Sequence, residues 1–389
     1  MNQTINMENI SFYFTPILLG RLSDKGLGQQ IDIHTEGGFP EVKKNGIAFF
    51  YVPEFRNSPY KEVAVEKFRE QLYQLNGGNN WDKAIYDLGD VIPGETINDT
   101  YFAVGKIVAE LVKNQVIPII IGGSQDLTVA LYKGYEKLEQ FVNLCAIDSK
   151  LDVGSPEDEM NANGYISHLL VQRPCYLFNH SNIGLQIPFV DNEEVELFEK
   201  LYFDYCRLGE FNSDFKRAEP HLRNSDILSI DLTSVRYSEL IDVQYTNPNG
   251  FYAEQMCQIA RYAGVSDKLT SLGIFNYLPE KSAAKNVSDL VAQMIWYFID
   301  GVNARVGDFP IGTRKDYLKF IVHMDDFKEQ ITFYKSDKSQ RWWMEVPYPA
   351  SEGKKYERHY LVPCNQGDYE KAMKNEIPDL WWKTYQKLV

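Results

Sequence analysis

From about residue 45 to residue 300 the chain alternates short β-rich runs with longer amphipathic segments, and this rhythm restricts the fold more than any other feature. Strand followed by helix, repeated, specifies a parallel sheet, because each helical crossover returns the chain to the edge where the next strand must start. Gly46–Val52, Ala84–Leu88, Val116–Ile121, Leu144–Ile147 and Ile227–Leu232 read as strands, with Ser271–Tyr277 a late one. Between them Lys61–Leu75, Ile97–Lys113 and Leu127–Leu138 have helical spacing. Asn286–Val302 reads as a late helix with Val287, Leu290, Met294 and Tyr297 on its apolar face. The expected class is therefore α/β, a parallel sheet between helix layers.

After Gly307 the pattern changes. Phe320–His323, Gln330–Tyr334, Arg341–Val346 and His359–Val362 are short alternating segments that predict an antiparallel meander, followed by a helical tail from Tyr369. The expected division is an N-terminal segment, 1–45, which offers no clear pattern, an α/β domain, 46–305, and a C-terminal extension, 306–389. From Pro310 onward there are 14 Lys and Arg against 12 Asp and Glu, so that segment is +2 and everything before it −16 of the total −14. Trp342, Trp343, Trp381 and Trp382 make the extension a candidate for docking a protein partner or for homo-oligomerisation, since aromatic side chains dominate buried interfaces. The same tryptophans can equally fill a small core of their own.

An acidic chain of this kind lacks the field that displaces counterions from nucleic acid or holds an anionic membrane surface. The longest apolar stretch, Val116–Ile121, is far shorter than the roughly 20 residues of a membrane helix, so no insertion is expected. Met1–Tyr13 lacks the basic end and apolar run of an export signal. The cysteines, Cys145, Cys175, Cys206, Cys257 and Cys364, are odd in number and form no CxxC pair. Reduced thiols in a cytoplasmic protein are the expectation.

In an open parallel sheet, ligands bind beyond the carboxyl ends of the strands. Three strand ends carry suitable residues: Gly122-Gly123-Ser124-Gln125-Asp126, then Asp148-Ser149-Lys150-Leu151-Asp152, then Ser229-Ile230-Asp231-Leu232-Thr233. No GxSxG, P-loop or GxGxxG competes with them.

In order and spacing these segments resemble the GGDHS, DAHxD and SxDxDxxD motifs of the ureohydrolase superfamily, the arginases, agmatinases and formimidoylglutamases. The resemblance spans about residues 45–305 and includes Glu66–Leu75, similar to an early helix of that family. It implies a three-layer α/β/α arginase-like fold, usually assembled as trimers or hexamers. It also implies two manganese ions held by two histidines and four aspartates, which activate a water against a guanidinium or formimino carbon. Carried over residue by residue, Asp148, Asp152 and Asp231 match ligand aspartates. Gln125 and Lys150 stand where the histidines would be, Thr233 replaces the fourth aspartate, and Arg236 occupies the final aspartate of the motif.

Half of the ligand set is thus replaced. An ammonium among carboxylates repels an incoming dication, and Lys150 is expected to substitute for the metal pair through a salt-bridge network. The resulting expectation is a catalytically inactive relative, a pseudoenzyme without cofactor, used for binding or assembly. Manganese or magnesium enters only if the remnant site binds metal; Asp148, Asp152, Asp231 and the Gln125 carbonyl form an all-oxygen set suited to one hard cation. Two alternatives stay open: a C–N hydrolase with an altered ligand set, and a binding protein for a small cation. Hydrolysis would draw on His168, placed near the proton-shuttling histidine of arginases, and on Glu254, similar to the family's guanidinium-binding glutamate. Each also reads as an ordinary helix or loop residue. His34, His180, His221, His323 and His359 form no ligand spacing.

Overall fold

The computed structural model describes residues 4–388 apart from 19, 21–22, 24, 60–66, 242–245, 279–283, 311–313, 326–329 and 353–354. Ten strands join one sheet: β1 (Phe14–Thr15), β2 (Ile31–Ile33), β3 (Ile47–Val52), β4 (Ile85–Val91), β5 (Ile117–Gly122), β6 (Val142–Ile147), β7 (Leu177–Leu185), β8 (Asp204–Arg207), β9 (Ile227–Asp231) and β10 (Ser271–Phe275). Their order is β1-β4-β3-β5-β10-β9-β6-β7-β8, with β2 also on β4. Only β1 pairs antiparallel; the other pairings are parallel. The N-terminal segment, which has no legible pattern, therefore adds β1 and β2 to the same sheet.

Every residue of β3, β5, β6, β9 and β10 is buried. That is the signature of strands covered on both faces. Alternation then sorts the side chains: Phe49, Ile119 and Ile274 join the cluster under helices Phe68–Gln74, Ala253–Val265 and Ala284–Asn303, while Phe50 and Ile120 join the one under Ile97–Lys113 and Thr128–Glu136. Each such side chain contributes roughly 1.5–3 kcal/mol by leaving water. The early helix is seen only from Phe68, since 60–66 lie outside the described residues.

β7 and β8 lack the apolar run that marks the other strands. Their polar residues Asn179, His180, Ser181, Asn182 and Asp204 break the apolar pattern, yet all are buried. Two of them find partners at the far end of the chain, where Lys387 donates to Asn179 and Lys383 Nζ lies 3.0 Å from Asp204 Oδ1; Asn182 instead donates to the Lys150 carbonyl, and the His180 ring lies 3.3 Å from the Leu144 carbonyl.

The extension forms an antiparallel sheet, β11 (Tyr317–Val322), β12 (Ile331–Ser336), β13 (Trp342–Glu345) and β14 (Leu361–Cys364), with helices Gln366–Ala372 and Asp379–Leu388. It sits against the amino ends of the parallel strands. Arg358 Nη2 pairs with buried Asp226 at 2.7 Å just before β9, and the His359 ring packs on Phe178 at the start of β7. Trp342, Trp343 and Trp381 are buried within the chain itself, so only Trp382, 43% exposed, remains available to a partner.

Arg223 joins the body to this extension. Its guanidinium donates to the Trp342 and Cys364 carbonyls at 3.0 and 2.9 Å, pairs with Glu219, and lies 4.6 Å from the Trp343 ring centroid. Arg223→Ala should cost about 2–3 kcal/mol, because two buried carbonyls lose this donor and Glu219 keeps only the more distant Arg341, at 4.0 Å. Thermal unfolding measures the loss, and limited proteolysis should show earlier cleavage after residue 310; an unchanged melting temperature would contradict this account.

Candidate functional site

The strand ends named by the sequence converge because β5, β10, β9 and β6 are neighbours in the sheet. Gly123 permits the close approach of the first motif to β3: a Cβ there would lie 1.8 Å from the Glu54 carbonyl oxygen. The chain then turns so that Gln125 is buried and its Nε2 reaches the Tyr165 hydroxyl at 3.4 Å. Asp126 faces elsewhere, held by Ser124, Tyr101 and Asn57 in a separate buried network.

Asp148, Asp152 and Asp231 are all buried. Asp148 Oδ1 accepts from Lys150 N at 2.9 Å, whereas its Oδ2 has no hydrogen bond of ordinary geometry. Asp152 adopts φ +48°, in the left-handed region that aspartate enters more readily than most residues. Burial, then the Asp231 charge, pushes the Asp148 carboxyl up to about 7; burial, then Asp148, raises Asp152 well above the carboxylate range. Two carboxyls this close and this dry cannot both ionise at neutral pH, so the pair retains a proton.

Asp231 is different because its oxygens are occupied. Oδ1 accepts from Thr233 N and from Asn276 Nδ2, each at 2.8 Å, and Oδ2 from Thr233 Oγ1 at 2.6 Å. Burial raises its pKa, but these donors oppose the rise. Asn276, just past β10, and Tyr165 belong to the site although no sequence motif marks them. Burial, then the negative charge of Asp152, raises the Tyr165 phenol well above its ordinary range, so it stays protonated as a donor.

The expected salt-bridge network of Lys150 is not formed. Its ammonium donates to Asn163 Oδ1 at 3.0 Å, and among the described residues it makes no ion pair within 4 Å of the three aspartates. The side chain reaches the more exposed 161–163 turn, where it keeps solvent, and acts on Asp152 and Asp231 only through space. Lys150→Met should therefore change unfolding free energy by less than about 1 kcal/mol. A loss of 3 kcal/mol or more in chemical denaturation would show a contact role instead.

Nor do the remaining candidates join the cluster. Arg236 turns outward, its Nε 3.2 Å from the Gly250 carbonyl and its guanidinium 3.7 Å from the Tyr252 ring centroid. Glu254 is exposed and lines an outer groove with Arg261, Asp289 and Tyr297, away from the aspartates. The half-buried His168 lies three residues beyond Tyr165 on the helix Tyr165–Leu170, without a hydrogen bond to any site residue among those described.

A dinuclear manganese centre requires converging carboxylate oxygens and imidazoles. The residues present do not fit it: neither histidine position holds one, and Asp231 spends its oxygens on protein donors. Among the described residues no three His, Cys, Asp or Glu side chains are arranged to hold a metal. The open Asp148 Oδ2 is far short of the six oxygens that magnesium takes.

Parallel strands between two helix layers, with a carboxyl cluster where strand ends converge, define an α/β/α protein of the ureohydrolase kind. A model of the arginase family matches residues 55–300, and the chain belongs to that family. No curated protein sequence matches it. Among solved structures, a Bacillus subtilis formimidoylglutamase is similar with TM-score 0.62 and 14% identity, over 76% of this chain and 98% of that one. A Trypanosoma cruzi formiminoglutamase with Mn2+ gives TM-score 0.59 and 16% identity, over 67% and 94%. An arginase from Medicago truncatula gives 0.55 and 16%, over 66% and 87%. At these identities the likeness concerns the fold. No described helix is long and apolar enough to cross a membrane.

Proposed function

We propose that this member of the arginase family is a non-hydrolytic protein in which a protonated, hydrogen-bonded carboxyl cluster stands in place of the metal pair, and that it serves in binding or assembly. The observation that carries this reading is Asp231, whose oxygens accept from Thr233 and Asn276 rather than facing an open position. Without a metal pair the site has neither Lewis acid nor activated hydroxide. All five cysteines are free, which suits a reducing, cytoplasmic setting. Metal analysis after incubation with manganese and gel filtration should give well under one ion per chain; two per chain would end this proposal.

A second reading, capture of a small cation, is favoured by two buried acceptors, Asp148 Oδ2 and Asn182 Oδ1, that have no hydrogen bond of ordinary geometry. A ligand such as agmatine would supply donors to them and draw the proton off the Asp148–Asp152 pair. Under this reading millimolar agmatine raises the melting temperature of the wild-type chain and not of Asp148→Asn.

A further inference from the structure

At the end of the sheet opposite the aspartates lies a cleft of about 660 Å3 formed where strands begin and the extension docks. Lys44 lies ahead of β3, Lys83 ahead of β4 and Thr270 ahead of β10; Arg305 follows the helix Ala284–Asn303, and Arg358 comes from the extension. Four cations line it against one carboxylate, Asp82. In a chain of net charge −14 this is a local reversal of sign.

The partners of these cations do not cancel the excess. Lys83 pairs with its neighbour Asp82 at 3.0 Å, and Arg358 with Asp226 at 2.7 Å. Arg305 donates to the carbonyls of Gly264 and Leu269, both at 2.8 Å, and Asp267 acts on it only through space, without an ion pair within 4 Å among the described residues. Burial pushes this guanidinium down to about 10, so it stays charged at neutral pH. Among the described residues neither Lys44 nor Arg305 has an ion-pair partner within 4 Å. Arg358 Nε is buried and makes no hydrogen bond. The helix Ala253–Val265 presents carbonyls at its end, and Arg305 meets that of Gly264.

We propose that this cleft binds a small multivalent oxyanion, a phosphate-bearing or polycarboxylate metabolite, between Lys44, Lys83, Arg305 and Arg358. Guanidinium groups match the planar edge of such groups and lysines add point charges around them. Three of the four cations, Lys44, Arg305 and Arg358, lie outside residues 55–300, the part matched by the family model. The site is thus assembled from the flanks of this chain, and it is independent of the carboxyl cluster and of the function proposed for it.

Isothermal titration calorimetry of the full chain with pyrophosphate and with citrate tests the site, at low salt and at 0.3 M salt. One saturable site is expected for at least one of the two, weakened as salt screens it. Whichever binds identifies the ligand as phosphate-type or carboxylate-type. Lys44→Glu with Lys83→Glu should weaken binding by about tenfold or more. Should the double variant fail to fold, Lys44→Ala alone should weaken it about threefold. No heat from either anion, or an affinity unchanged in a folded variant, overturns the proposal.

Discussion

Supplied with manganese, the purified protein is expected to release urea or ammonia from arginine, agmatine or formiminoglutamate at the rate seen in buffer alone. Enzymes commonly gain 10⁶-fold or more over the uncatalysed reaction, so the gap between an active and an inactive site is large. The physical reason is that Asp231, a would-be ligand, already has both oxygens hydrogen-bonded, and Gln125 and Lys150 bring no imidazole. Converse evidence should come from Gln125→His, Lys150→His and Thr233→Asp made together, which rebuild the six-ligand pattern on the existing backbone. This variant is expected to take up manganese and to melt higher in its presence; a metal held at a hundred times its Kd adds about 2.7 kcal/mol. Measurable wild-type turnover dependent on manganese would refute the non-hydrolytic reading. A folded triple variant that ignores manganese would instead show that the motif positions do not superpose on a metal site.

The second large effect concerns pH. Folding raises the Asp148 carboxyl from an ordinary value near 3.8 to about 7. Below about pH 4 the group is protonated whether the chain is folded or unfolded, and its favourable contribution is complete. Between about 4 and 7 the folded chain holds a proton that the unfolded chain has lost, so stability falls as pH rises. Above 7 the loss is complete. Roughly 3 pH units at about 1.4 kcal/mol each bound it near 4 kcal/mol. Asp148→Asn cannot ionise; its amide carbonyl still accepts from Lys150 N, and its NH2 offers a donor beside Asp152. The variant should therefore gain stability relative to wild type as pH is raised from 5 to 8, with much of the 4 kcal/mol appearing by pH 8. Taking the difference between the two chains removes the contributions of titrating groups not coupled to Asp148, such as His180, which burial lowers to about 4, and Lys387, which burial lowers to about 8, and leaves the Asp148–Asp152 pair. Urea denaturation at both pH values reads it out, and parallel profiles would refute the shared-proton account.

Most of the central sheet was legible because periodicity is local. Ile97–Lys113 is a helix over the expected range, opened by the Thr96–Asp99 capping box, and the expected strands from β3 to β6, β9 and β10 agree within a few residues. β7 was not legible, since Asn179, His180, Ser181 and Asn182 look solvent-facing until distant groups meet them: Lys387 at Asn179, the Phe198 and Phe203 rings at His180, and the Lys150 carbonyl at Asn182. The tryptophans show the same limit from the apolar side. Their abundance left a docking surface and a core of the extension's own equally open, and packing places three of the four inside.

At the site, the sequence by itself determined which strand ends carry polar residues, that half of the family's ligand types are replaced, and that the acidity belongs to the body. Those properties follow from order and spacing along the chain. Tertiary structure alone decided which groups meet. It brought Asn276 to Asp231 across 45 positions, turned Lys150 toward Asn163, placed Tyr165 beside the carboxyls, and gathered four cations from distant segments at the opposite end. Hydrogen bonds act over about 3 Å and desolvation depends on everything that surrounds a group, so neither is encoded in sequence spacing.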